Sequence, residues 1–252
     1  MKLEILTIAE DWARAAAKVF VARSSRAVAK RGLATVALSG GSTPKLLYQL
    51  LADPNEPFRE QVPWSKIHFF WTDERHVPPD HPDSNYRMVN EAMLAHVPVT
   101  RDNVHRMMSE NPNAEEAAAQ YERVVPPRFD LILLGLGADG HTASIFPGSE
   151  VLHETKRLVA APWVEKLNSY RITMTLPLIN NALSVVFLIS GVEKAEVVRE
   201  VLQTTKRYPA KEVRPNGKLL WLLDKEAASK LKSPEEVTRE TIKELSQIRS
   251  VN

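Results

Sequence analysis

The sequence predicts an α/β protein with a mostly parallel sheet flanked by helices, formed as a single domain over residues 1–252. Two patterns predict it. Apolar runs of strand type alternate with helical-period stretches along the chain, and no repeat, low-complexity tract or linker interrupts them. Size agrees, because 252 residues at 44% hydrophobic can bury most of their apolar surface around one core.

Residues 9–31 have helical spacing, with Trp12, Ala16, Val19, Phe20 and Val28 on one side and Gly32 as the stop. The run TVAL (35–38) reads as a strand and 44–51 as a helix through Leu46, Leu47, Leu50 and Leu51. A strand at 67–72 and helices at 84–96 and 113–125 follow. FDLILLGL (129–136) is the most apolar run and predicts a central strand buried on both faces. Further strands are expected at 158–161, 171–176, 184–189 and 218–223, with short helices near 177–183 and 192–203. A last helix has a full start signal: Ser233 as N-cap, Pro234 in the first turn and Glu236 three residues on.

Composition excludes several classes. Without cysteine there is no disulfide framework, thiolate nucleophile or Cys-ligated metal. No apolar run approaches the roughly 18–20 residues that span a bilayer. The start of the chain carries Glu4, Glu10 and Asp11 and does not read as a signal peptide. A soluble protein is expected, with no membrane association, in a reducing cytoplasm. The formal charge is +2. Its densest basic stretch, Arg23, Arg26, Lys30 and Arg31, falls at helical spacing without interleaved aromatics, which fits a solvated helix face better than nucleic acid.

Ligands of open α/β sheets collect at the carboxyl ends of strands, so the loops that follow strands matter most. Ser39-Gly40-Gly41-Ser42-Thr43-Pro44-Lys45 combines backbone freedom, two hydroxyls and a helix start, which suits a phosphate; a plain turn capped by Thr43 is the alternative. It is not a Walker loop. The stretch 71–87 places Asp73 and Arg75 at a strand end, either aimed into a cleft or paired with each other at the surface. His76 and His81, five apart in a proline-rich loop, have poor metal-ligand spacing. Gly135, Gly137 and Gly140 match G-x-G-x-x-G, but Pro147 and Gly148 interrupt the helix a dinucleotide site needs, and 158–161 offers no acid for a ribose. Asp139 and His141 in that loop read as a reactive pair, or as a histidine capping the turn. Arg171, and Lys194 after Gly191, are surface charges individually; together with Ser42 and Thr43 they could close around a phosphate.

Taken together, SGGSTP (39–44), TDER (72–75), SNYR (84–87), GLGADGHTASIFPGS (135–149), RITMTLPLIN (171–180) and GVEKA (191–195) resemble the 6-phosphogluconolactonases, in that family's order. The resemblance implies a Rossmann-like α/β fold, hydrolysis of 6-phospho-D-glucono-1,5-lactone to 6-phosphogluconate, and no metal or organic cofactor. It implies a phosphorylated sugar lactone as the only partner, without nucleic acid or an obligate protein partner. Residue by residue, it places the catalytic histidine on His141 with Asp139 as its nearby carboxylate. It places substrate binding on Gly40, Gly41, Ser42, Thr43, Asp73, Arg75, Arg171 and Lys194. The nearest alternative is a glucosamine-6-phosphate deaminase, whose similar motif has an acid five positions past the histidine; here that position is Phe146.

Overall fold

In the computed structural model, which describes residues 2–8 and 11–231, the most apolar runs of the chain lie side by side as parallel strands. The strands of this sheet are β1 (Lys2–Ile8), β2 (Ala34–Leu38), β3 (Ile67–Trp71), β5 (Leu131–Leu134), β9 (Ser184–Ile189) and β10 (Lys218–Asp224). They stand in the order β1-β10-β9-β5-β2-β3. Every residue of β5 and β9 is buried, as expected for parallel strands covered on both faces. Phe187 stacks on Trp221 at 4.1 Å between ring centroids, joining β9 to β10.

The helices are α1 (Trp12–Arg31), α2 (Ser42–Ala52), α3 (Phe58–Gln61), α4 (Asn85–Ala92), α5 (Ala114–Glu122), α6 (Leu176–Asn180) and α7 (Ala195–Gln203). Local chemistry sets their ends. Asp11 accepts the Arg14 N–H at 3.0 Å to cap α1, which buries Trp12, Ala16, Val19 and Phe20. Gly32 closes the helix in the left-handed region, its N–H reaching the Val28 carbonyl. The Trp12 indole N–H donates to the Leu222 carbonyl and holds the helix on β10. The predicted helix at 84–96 stops at Ala92 and continues only as a 3-10 turn. Its counterpart from Ser233 lies outside the described residues.

Two expected strands leave the parallel sheet. β4 (Asp73–Arg75), β6 (Val159–Ala160) and β7 (Trp163–Val164) all pair antiparallel with β8 (Ser169–Met174) in a small second layer. The reason is connection length: parallel pairing needs a crossover of about a dozen residues, and only short turns separate β6, β7 and β8. Thr72 joins the two layers. Its N–H donates to the Leu38 carbonyl, and its own carbonyl accepts from Met174, both at 2.8 Å.

Candidate active site

β2 is flanked by β3 on one side and β5 on the other, so the chain leaves it in opposite directions. That switch point opens a crevice at the carboxyl ends of the strands. A cavity of about 300 Å³ fills it, lined by residues from the ends of β2, β5 and β9, from β4 and from the start of α2.

Gly40, Gly41, Ser42 and Thr43 form one wall. α2 begins at Ser42 behind Gly41 rather than behind Thr43, and no side chain caps it. The first N–H groups of an eleven-residue helix therefore face the cavity, a favourable end for an anion. Pro44 sits in the first turn, where its missing N–H costs nothing. Gly41 takes φ +106°, which a side chain disfavours. Gly40 is needed for space, because a Cβ there would lie 1.7 Å from Asn85 Oδ1.

The adjoining wall is a buried polar network. Asn85 donates from Nδ2 to the Asp73 carbonyl at 2.9 Å, and its Oδ1 accepts from Arg75 at 2.6 Å. Asp73 accepts from the Ser144 hydroxyl at 2.7 Å. Glu74, 1% exposed, accepts from Ser84 Oγ and from the backbone N–H groups of Arg75, Asn85 and Tyr86. Burial raises its pKa above the usual carboxylate range despite those bonds. Arg171 is not among the cavity-lining residues. It stands directly across from Arg75 in the β4–β8 pair, and burial followed by repulsion from Arg75 lowers its pKa. Two guanidiniums facing each other across antiparallel strands oppose the pairing unless an anion compensates.

Opposite the helix start, the loop after β5 carries the histidine. Its G-x-G-x-x-G run opens no helix; residues 138–140 form a turn, and Thr142 bridges Ile145. Gly137 provides room, since a Cβ there would fall 2.0 Å from His141 Nδ1. His141 lines the cavity, whereas Asp139 lies behind it. Asp139 Oδ1 contacts His141 Nδ1 and also accepts the His141 backbone N–H at 3.2 Å. Its other oxygen pairs with Lys166. Burial opposes ionisation of Asp139, but the hydrogen bonds from Lys166 and His141 outweigh it and hold the carboxyl below the ordinary range. With Nδ1 donating to a carboxylate, the ring presents the Nε2 lone pair for chemistry. Phe146 packs 4.3 Å from the imidazole, centroid to centroid. Lys194, together with Glu193, closes the remaining side of the cavity.

Eight of the ten predicted site residues therefore line one cavity, Asp139 supports one of them, and Arg171 stands at its edge. Sequence reasoning missed Asn85, Ser144 and Lys166. Asn85 lies inside a segment already singled out. Lys166 carried no signal, being a lone lysine 25 residues past the histidine. Among the described residues, no group of three or more His, Asp or Glu side chains is arranged to hold a metal. Nor is any described helix long and apolar enough to cross a membrane.

Known proteins resemble this chain in sequence and in fold. Residues 8–221 match the family described as glucosamine-6-phosphate isomerases/6-phosphogluconolactonase. A 6-phosphogluconolactonase of Synechocystis sp. is 44% identical over 83% of this chain and 90% of its own length. The solved 6-phosphogluconolactonase of Thermotoga maritima superposes with a TM-score of 0.79 at 32% identity, covering 89% of this chain and all of that one. That of Trypanosoma brucei gives 0.79 at 33%, covering 91% and 99%. A monomeric glucosamine-6-phosphate deaminase shares the fold at 22% identity, with a TM-score of 0.77 over 91% of this chain and all of that one. The chain belongs to the family of glucosamine-6-phosphate isomerases and 6-phosphogluconolactonases.

Proposed function

We propose that this chain hydrolyses 6-phospho-D-glucono-1,5-lactone to 6-phosphogluconate, acting as one domain. The observation that carries the reading is a carboxylate-held histidine facing an uncapped helix start across one cavity. Relatives that resemble this chain in sequence and in fold bear the name of that activity.

In this reading the substrate phosphate binds at Ser42 and Thr43, where N–H groups, hydroxyls and the helix dipole converge, with Lys194 as a point charge. Binding the phosphate far from the reacting carbon orients the lactone carbonyl toward His141. His141 Nε2 takes a proton from water as the water oxygen bonds to the carbonyl carbon. Asp139 holds the ring and offsets the positive charge that forms on it. The carbonyl oxygen becomes negative, and Arg75 or loop N–H groups stabilise it. The bond from that carbon to the ring oxygen then breaks, and the imidazolium returns its proton to the departing oxygen. Asp73 is held by Ser144 and Thr72 and fixes this side of the cavity. Arg171 stands beside Arg75 on the neighbouring strand and adds to the positive field that the anion enters.

Phe146 separates this reading from deamination, because a phenyl ring cannot move a proton. The test is lactone loss with spontaneous hydrolysis subtracted, run beside ammonia release from glucosamine 6-phosphate. Fast lactone loss without ammonia is expected. Ammonia release with lactone loss at the blank rate would overturn the reading.

A further inference from the structure

The second antiparallel layer ends in a hairpin that the reaction above does not use. β7 and β8 are joined through residues 165–168, with Asn168 in the left-handed region and its N–H bonded to the Glu165 carbonyl. Trp163 lies opposite Tyr170 with ring centroids 5.0 Å apart, and its indole N–H donates to Glu165. This aromatic cross-strand pair stiffens a hairpin that would otherwise be marginal, and it accounts for two large side chains left 45% and 41% exposed.

What the hairpin holds out is Lys166. Its ammonium meets two groups of the histidine loop: the Asp139 carboxylate, and the Phe146 ring, whose centroid is 4.4 Å away. The Phe146 ring also packs on His141, so one phenyl ring touches both cation and imidazole. Asp139 sits in a turn on a short side chain whose terminal torsion is soft. Both contacts to His141, at Nδ1 and at the backbone N–H, fall on one oxygen and leave the other free to swing. With Lys166 on the second oxygen, both oxygens are engaged and the first stays on Nδ1.

We infer that Lys166 is a positioning residue for the His141 base, acting through Asp139 from the tip of the β7–β8 hairpin. The inference rests on reading His141 as the base.

The test uses the full chain as wild type, Lys166→Met and Lys166→Arg. The His141 Nδ1–H resonance is followed by NMR without substrate, and lactone hydrolysis by steady-state kinetics. Lys166→Met is expected to shift or broaden the Nδ1–H resonance as the Asp139 contact loosens. It should also lower kcat about three- to tenfold, with KM changed less than about twofold. Lys166→Arg should restore most of both. A resonance that does not change, or a loss that Lys166→Arg fails to rescue, would overturn the inference. If the resonance changes but wild type shows no lactone hydrolysis, the coupling stands and the proposed reaction fails instead.

Discussion

Around Gly40 and Gly41 the cavity is locked by buried groups, whereas around His141 it is held by side chains that reach water. On the first side Glu74 and Asn85 are each 1% exposed, and nearly every polar atom of that network has a partner inside the protein. On the second side His141 and Asp139 keep 30% and 37% of their side chains accessible, and an exposed lysine completes the arrangement. The contrast follows from what each wall does. A helix start binds an anion through fixed backbone dipoles, which need rigid shape and no proton exchange. An acid–base group must pass protons to and from water, so it cannot be sealed.

Three substitutions would break or sharpen this contrast. The largest effect is expected for Gly40→Ala, because its new Cβ would collide with Asn85 and force apart the bonds to Asp73 and Arg75. A stability loss of about 3 kcal/mol is expected by urea unfolding, since overpacking adds to a broken buried network. Glu74→Gln should cost about 2 kcal/mol, because the amide NH₂ would replace one acceptor oxygen and meet either the Arg75 and Asn85 N–H groups or the Ser84 hydroxyl and Tyr86 N–H. Burial sets the pKa of Glu74 above its unfolded value, so wild type gains stability as pH falls through that raised value. The gap between wild type and Glu74→Gln should therefore widen on mild acidification, down to about pH 4.5.

Asp139→Asn should show the opposite trend and the smallest effect. Despite its partial burial, Asp139 is held below its unfolded pKa by Lys166 and His141. Its stabilisation is present above the ordinary aspartate value and lost as pH falls through the lowered one. Thermal midpoints of wild type and Asp139→Asn should thus differ modestly at pH 7 and converge below about pH 4. Two carboxylates flanking one cavity would then respond to acid with opposite signs. Parallel trends would show that the two walls do not differ as described.

The same contrast explains what the sequence made legible. The sheet was readable because β5 and β9 are continuous apolar runs and the first helix has both a face and a stop. The cradle and the histidine were readable because glycines, hydroxyls and an Asp–His pair sit close together in single loops. The antiparallel layer was not, since 158–176 has the composition of a strand region and only its short connections decide the pairing. Asn85 and Lys166 act across 10 and 27 residues, on Arg75 and Asp139 respectively. No local pattern records such contacts. Arg171 shows the converse: it was identified by its motif, and register sets it beside Arg75, next to the residues that line the cavity.

Steady-state kinetics of Lys194→Ala beside His141→Ala, on the phosphorylated lactone, test the division of labour most directly. If one wall binds and the other reacts, Lys194→Ala should raise KM about tenfold or more while kcat stays within about threefold. His141→Ala should lower kcat by about 10²–10⁴ with KM little changed. Loss of kcat in both variants with KM unmoved, or a His141→Ala enzyme as fast as wild type, would contradict the account.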